Sequence, residues 1–360
     1  MSRHVLTPIP VRAPSHGWPV WGHISAVETL QDAVVHDRVR HAYLIGGPPG
    51  TGKRTLANAF ITALCCQTPP SPGLACGACL SCRKIARGVH PDVQTFGLAS
   101  QAAASEKAGT KNTTLTIETV RELSSGTAFH PTEGPWKIIV IEDAEALQEI
   151  AQEALLKTLE EPPRFVVILM LCNDPELLLP TIRSRCQTIE LRRVSRSIVV
   201  EALIASGVTP QRAEEIASVA GGLPGLAYQI AANPKVLARQ QETVDRALAW
   251  IGGSGYDRLV TAVRLGDTFA KKRPDVFVEL ETLLGVWRDA LLLHAAQHPH
   301  LTYRGIAERL HALAAGWTLC DLQRGLCSVQ QCLVDLEANV RPRLALEAMV
   351  LQWPMTPSRH

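Results

Sequence analysis

The run Gly47-Pro48-Pro49-Gly50-Thr51-Gly52-Lys53 stands directly behind the apolar stretch Ala42-Tyr43-Leu44-Ile45, and it limits the fold of this chain more than any other feature. It reads as a buried strand, a glycine-rich turn and a helix opening at Lys53, with the G-x-x-x-x-G-K spacing of a phosphate-cradling loop. Gly47, Gly50 and Gly52, with Thr51 among them, let backbone N–H groups converge on an anion. The helix N-terminus adds the positive end of its dipole, and Lys53 can reach the terminal phosphates. The pattern next asks for a Ser or Thr whose hydroxyl holds Mg²⁺. Here that position is Arg54, and the hydroxyl comes one residue late, at Thr55. The loop predicts nucleotide binding, with ATP and Mg²⁺ as the candidate ligands, and weak hydrolysis or none.

Strand and helix patterns alternate around this loop. Residues 1–16 read as a disordered tail and 24–39 as a helix carrying Val27, Leu30, Val34 and Val35. A helix follows the loop, then a cysteine-rich insert over 65–82, a short strand over 92–98, a mobile loop over 99–114 and a helix over 117–128. Lys137–Ile141, Phe165–Leu171 and Gln187–Leu191 read as strands, the first two as continuous apolar runs that suit a sheet covered on both faces. Between them, 145–160 reads as a helix with Leu147, Ile150, Ala151, Ala154, Leu155 and Leu159 on one stripe, stopped by Pro162-Pro163. Such alternation predicts an α/β domain with a parallel sheet. After residue 194 the strand signal ends, and 195–233 and 234–353 read as two helical regions.

Two clusters carry further chemistry. The strand at 137–141 runs into Glu142-Asp143-Ala144-Glu145, and the carboxyl end of a strand is where a parallel sheet binds ligands. Glu142 and Asp143 could hold a hydrated Mg²⁺ and orient a water. Cys76, Cys79 and Cys82 form C-x-x-C-x-x-C, with Cys65 and Cys66 upstream across a Pro- and Gly-containing turn. Four thiolates at this spacing fit a structural Zn²⁺, with Cys66 favoured over Cys65 as the fourth ligand, against free thiols or an iron–sulfur cluster. Cys172, Cys186, Cys320, Cys327 and Cys332 read as small buried residues.

Composition trims the alternatives. With 46% hydrophobic residues in 360, a large core is available. A net charge of +2 and 5% aromatics argue against a self-sufficient nucleic-acid module built on the cysteines. No apolar run suits a membrane span or a signal peptide, so a cytoplasmic protein is expected.

Together these residues resemble the AAA+ clamp-loader subunits of bacterial DNA polymerase III. Ala154-Leu155-Leu156-Lys157-Thr158-Leu159-Glu160-Glu161-Pro162-Pro163 is similar to that family's helix end, and Pro180-Thr181-Ile182-Arg183-Ser184-Arg185-Cys186 to its S-R-C motif. A four-cysteine insert behind the phosphate-loop helix is typical of the bacterial members. The resemblance implies a P-loop AAA+ domain over 17–194, a small helical lid over 195–233 and an all-α collar over 234–353. It implies partners as well: gamma/tau and delta type subunits in a hetero-pentameric ring, a sliding clamp, and primed DNA through the complex. It implies that Arg185 acts as an arginine finger in the ATP site of a neighbour. Asn173 or Cys172 falls at the polar position after the central strand that senses the γ-phosphate. Arg54, and Gly221-Gly222-Leu223-Pro224-Gly225 where hydrolysing members carry a lid arginine, favour a stator-like subunit over a gamma/tau-type motor.

Overall fold

The structure is a computed structural model, and it describes residues 14, 16–104, 114–127, 129–295, 301–338 and 340–355. The described residues fall into two compact units. One runs to Val208 and includes Gly222–Leu226; the other comprises Thr209–Gly221 and the chain from Ala227.

The first unit is an α/β layer structure. Its elements in chain order are α1 (Ile24–Val35), β1 (Ala42–Gly46), α2 (Lys53–Cys65), α3 (Leu80–Ala86), β2 (Val93–Phe96), α4 (Leu98–Ala104), α5 (Ile117–Thr127), β3 (Lys137–Ile141), α6 (Glu149–Glu160), β4 (Val166–Cys172), α7 (Pro180–Arg183), β5 (Gln187–Glu190) and α8 (Arg196–Ala205). The five strands are all parallel in the order β2-β3-β4-β1-β5. Side chains alternate across the strands. Tyr43, Ile45, Ile138, Val140, Val167 and Leu169 pack against Leu30, Leu56 and Phe60 of α1 and α2. Leu44, Ile139, Ile141, Ile168 and Met170 pack against Val120, Leu123, Leu155 and Leu159 of α5 and α6 on the other face. Burial on both faces is why β1, β3 and β4 are unbroken apolar runs.

The order of strands positions the site. β4 lies between β1 and β3, with Gly46 opposite Cys172 and Ile141 opposite Met170. The loop after β1, the residue after β4 and the acidic turn after β3 therefore leave the same edge of the sheet side by side, where a parallel sheet places ligands.

Several elements depart from the reading of the sequence. α1 ends at Val35, and Asp37 takes a positive φ of 51°. The loop expected over 99–114 begins as helix α4; the Ser100 hydroxyl accepts from Gly97 N–H at 2.8 Å and so caps that turn, while 105–113 lie outside the described residues, as do 1–13 of the expected tail. The helix expected at 145–160 starts only at Glu149, behind a short 3₁₀ turn at Ala144–Ala146. Ile150 lies about 100° round this helix from buried Ala151 and is 64% exposed. Gln152 faces inward instead, donating to the Leu147 carbonyl at 3.1 Å and accepting from Leu179 N–H at 2.8 Å.

The second unit is all helical: α9 (Pro210–Ala220), most of α10 (Pro224–Ala232), α11 (Pro234–Gly252), α12 (Gly255–His294), α13 (Ala307–Ala314), α14 (Leu319–Glu337) and α15 (Pro342–Leu351). α12 bends at Lys272, where φ is −129° and ψ 31°, two residues before Pro274, which has no N–H to give the ladder. Trp287 stacks on Trp317 at 5.4 Å and meets Trp353 edge-on at 5.7 Å in the core of this unit. Asp289, on the same helix as Trp287, is buried and accepts from Thr302 and Tyr303 N–H at 3.0 and 2.7 Å. Cys332 is buried as expected, but Cys320 and Cys327 are exposed: seven residues apart on α14, they share its outer face.

Candidate functional site

The loop after β1 needs its glycines. A Cβ on Gly47, whose φ is 143°, would lie 2.1 Å from the Leu191 carbonyl oxygen. Gly50, at φ 81°, accepts at its carbonyl from Gly225 N–H at 2.8 Å, so the start of α10 lies against the loop. Gly52 caps α2 in the left-handed conformation, and the first N–H groups of α2 have no acceptor within the helix. Thr51 is buried, its hydroxyl donating to the Pro48 carbonyl at 2.8 Å. Its own carbonyl accepts from His23 Nε2 at 3.2 Å, and burial keeps the His23 pKa below 6.5.

Lys53 turns back into the loop. Its Nζ donates to the carbonyls of Gly47 and Pro48 at 2.5 and 3.1 Å and to Asn173 Oδ1 at 2.8 Å. Burial lowers its pKa, against the raising influence of Glu145 and Asp143. Asn173 Nδ2 donates in turn to Glu145 Oε1 at 2.6 Å. Asn173, not Cys172, thus reaches the loop; Cys172 points into the core, where burial pushes its thiol up to about 12. Arg54 pairs with Glu142, Nη1 lying 3.1 Å from Oε1 and 3.4 Å from Oε2. Burial raises the Glu142 pKa and Arg54 opposes that rise. Thr55 is exposed one position further on, turned by about 100° around α2 from Arg54. Asp143 adopts a positive φ of 53° and caps the 3₁₀ turn.

Glu145 is the residue of this corner that motif reading passes over. It links Asn173 to the acidic turn, and its Oε2 is buried with no hydrogen-bond partner. Its presence in the acidic run was the only signal in the sequence.

The cysteines come from two helix ends. Cys66 caps the end of α2 and Cys79 the start of α3, and the turn between them brings Cys76 into place. The sulfurs of Cys66, Cys76, Cys79 and Cys82 all lie within 4.8 Å of one another. Cys76 and Cys82 Sγ are 3.9 Å apart, close to the about 3.8 Å edge of a tetrahedron with 2.3 Å metal–sulfur bonds. The set can hold a metal ion. Cys76 Sγ accepts from the Thr68 hydroxyl and from Ala78 and Cys79 N–H, which hold its thiol down to about 5. Cys65 is buried outside the cluster, its thiol pushed up to about 12 by burial. Beneath α3, Asp92 accepts from Thr132 N–H, Thr132 hydroxyl and Glu133 N–H, each at 2.7 Å, while buried His90 meets Ser81 Oγ at 3.1 Å.

Arg185 lies behind α7 with its side chain 36% exposed. It donates to Glu160 Oε1 at 2.6 Å and to the Thr181 carbonyl at 2.9 Å. Arg183 pairs instead with Glu176 and keeps its Nε buried.

A parallel sheet of this order with a glycine-rich loop behind β1 and an acidic turn behind β3 defines an AAA+ P-loop protein. A family model described as "DNA polymerase III, delta subunit" matches residues 22–195. The chain is 31% identical to DNA polymerase III subunit delta' of Escherichia coli over 87% of its own length and 89% of that protein. It is 37% identical to the delta' subunit of Pseudomonas aeruginosa over 53% of its length, a match spanning only 55% of that relative. Over 50% of its length it is 32% identical to the tau subunit of Bacillus subtilis, covering 30% of that protein. The chain belongs to the DNA polymerase III delta' subunit family. Among the described residues no helix is long and apolar enough to cross a membrane.

Proposed function

We propose that this chain serves as the delta' subunit of a cytoplasmic DNA polymerase III clamp loader, a stator that completes a neighbour's ATP site instead of turning over ATP itself. In this reading it joins gamma/tau and delta type subunits in a hetero-pentameric ring through its helical C-terminal collar. The ring places a sliding clamp on primed DNA. Residues 17–194 are the nucleotide-binding domain and 195–233 its lid. A Zn²⁺ on Cys66, Cys76, Cys79 and Cys82 fastens the insert; with four protein ligands it leaves no position open for catalysis.

The observation that carries the reading is the contrast between two arginines. Arg54, itself exposed, pairs with Glu142 of the chain's own site. Arg185 is partly exposed, held by Glu160 and one carbonyl at the surface. A guanidinium so placed can exchange a carboxylate of its own chain for the γ-phosphate of an adjoining one, and its fixed fork suits phosphate oxygens.

The test is ATP hydrolysis by the reconstituted ring with clamp and primed DNA. Arg185→Ala should leave ring assembly intact and cut turnover by about 100-fold or more, as removal of a finger does elsewhere. The chain alone should hydrolyse ATP at background rate. An unchanged rate in the mutant ring removes the finger, and brisk turnover by the lone chain removes the stator.

A further inference from the structure

The nucleotide chemistry of this fold normally includes Mg²⁺, held between a hydroxyl at the second position of the loop helix and a carboxylate at the end of the third strand. The residues here do not fit that ion. The second position of α2 is Arg54, and its guanidinium sits on Glu142 at 3.1 Å. A dication placed against Glu142 would meet the guanidinium charge at contact range, with no hydroxyl to complete its shell. Glu142 is partly enclosed, its side chain 21% exposed, and the 69% exposed Arg54 reaches it from the solvent side.

The region beyond the loop is equally unsuited to a third phosphate. Asn173 spends one of its two Nδ2 N–H donors on Glu145, and its Oδ1 faces Lys53. The second oxygen of Glu145 is buried and unpartnered, and Asp143 stands two residues before it. A γ-phosphate without its metal would face carboxylates there. A β-phosphate in the loop would meet the first N–H groups of α2 and the Lys53 ammonium instead.

We propose, building on the reading of the loop as a nucleotide site, that it takes a nucleoside diphosphate free of divalent metal. Arg54 stands in for the ion: one arm of its fork neutralises Glu142, and its remaining N–H donors serve the phosphate. The same residue that ends hydrolysis keeps the site able to hold the product form of a nucleotide.

The experiment is equilibrium binding of ADP and ATP to the full chain, with excess Mg²⁺ and with EDTA. ADP affinity should stay within about twofold between the two conditions, and ATP should bind about tenfold more weakly than ADP in EDTA. Arg54→Thr returns a hydroxyl to α2 and frees Glu142. It should make ADP binding depend on Mg²⁺ by about tenfold or more while the thermal melt stays in place. Tenfold loss of ADP affinity in EDTA by the unaltered chain overturns the proposal alone. So does equal affinity for ATP and ADP without metal, or an Arg54→Thr variant that stays indifferent to Mg²⁺. Absence of binding under every condition overturns the nucleotide reading itself, and the proposal with it.

Discussion

The phosphate-loop corner and the cysteine cluster are both built at helix ends of the first unit, yet their polar groups are spent in opposite ways. At the loop, charges quench one another: Lys53 turns onto two carbonyls and Asn173, Asn173 holds Glu145, and Arg54 covers Glu142. At the cluster, among the described residues, no side chain of opposite charge hydrogen-bonds to the sulfurs. Four Sγ atoms crowd within 4.8 Å, and the donors around them are neutral N–H and O–H groups. Donors of this kind favour thiolates without discharging them, which suits the set to a cation. The cluster can hold a metal ion, whereas at the loop Glu142 and one oxygen of Glu145 already have partners in the chain itself.

The strongest way to break this contrast is to remove a sulfur. Cys82 is buried, and Cys82→Ser should drop bound zinc from about one equivalent to below about 0.2 and cost about 3–5 kcal/mol of stability, the scale of a lost structural metal site. Metal analysis and urea melts read both quantities, and a variant that keeps its zinc would sink the four-thiolate reading. The matching change at the loop is Lys53→Met. Because the loop satisfies itself at a solvent-facing edge, stability should move by less than about 1 kcal/mol. ADP affinity should fall about 100-fold, or about 2.7 kcal/mol. A large loss of stability at Lys53 would mean that the loop is held by this side chain and not by its glycines.

How much of this was legible beforehand depends on the range of the interaction. β3 was readable to the residue because an apolar run ends at a charged turn, whereas spacing left the fourth thiolate between Cys65 and a favoured Cys66, which the structure places in the cluster. Arg54 was visible as a missing hydroxyl. Its pairing with Glu142, 88 residues away, was not, because that contact exists only once β4 has inserted between β1 and β3. Glu145 was hidden for the same reason, since its partner Asn173 follows a different strand. α4 escaped because its Ala- and Ser-rich sequence carries no apolar stripe and its first turn rests on the Ser100 cap. Ile150 misled because its apolar character suggests burial, while the buried face of α6 runs through Ala151, Leu155 and Leu159 and leaves it at the margin.

A finer probe of the cluster is Thr68, whose hydroxyl donates to Cys76 Sγ at 3.4 Å. Thr68→Val keeps the shape and removes the donor. Zinc should bind about tenfold more weakly in a chelator competition, about 1.4 kcal/mol, with the same one-to-one stoichiometry. An unchanged affinity would leave the backbone N–H groups as the only donors that tune this sulfur.

The smallest expected effect lies at the loop and depends on pH. His23 is buried against the Thr51 carbonyl, which can only accept, so Nε2 carries the proton in the neutral ring. Burial lowers the folded pKa below 6.5. As pH falls past 6.5 the unfolded chain takes up this proton before the folded chain does, so stability falls with falling pH until the folded pKa is reached and is constant beyond it. Above 6.5 both states hold the neutral ring and the contribution is flat. His23→Phe removes this step, and the other titrating groups cancel in the difference between the two proteins. The stability of the variant relative to the unaltered chain should therefore be level above pH 6.5 and rise on the acid side. Urea melts between about pH 5 and 8 measure it. A difference that stays level throughout would show that protonated His23 is accommodated beneath the loop. The phosphate corner would then tolerate a buried cation.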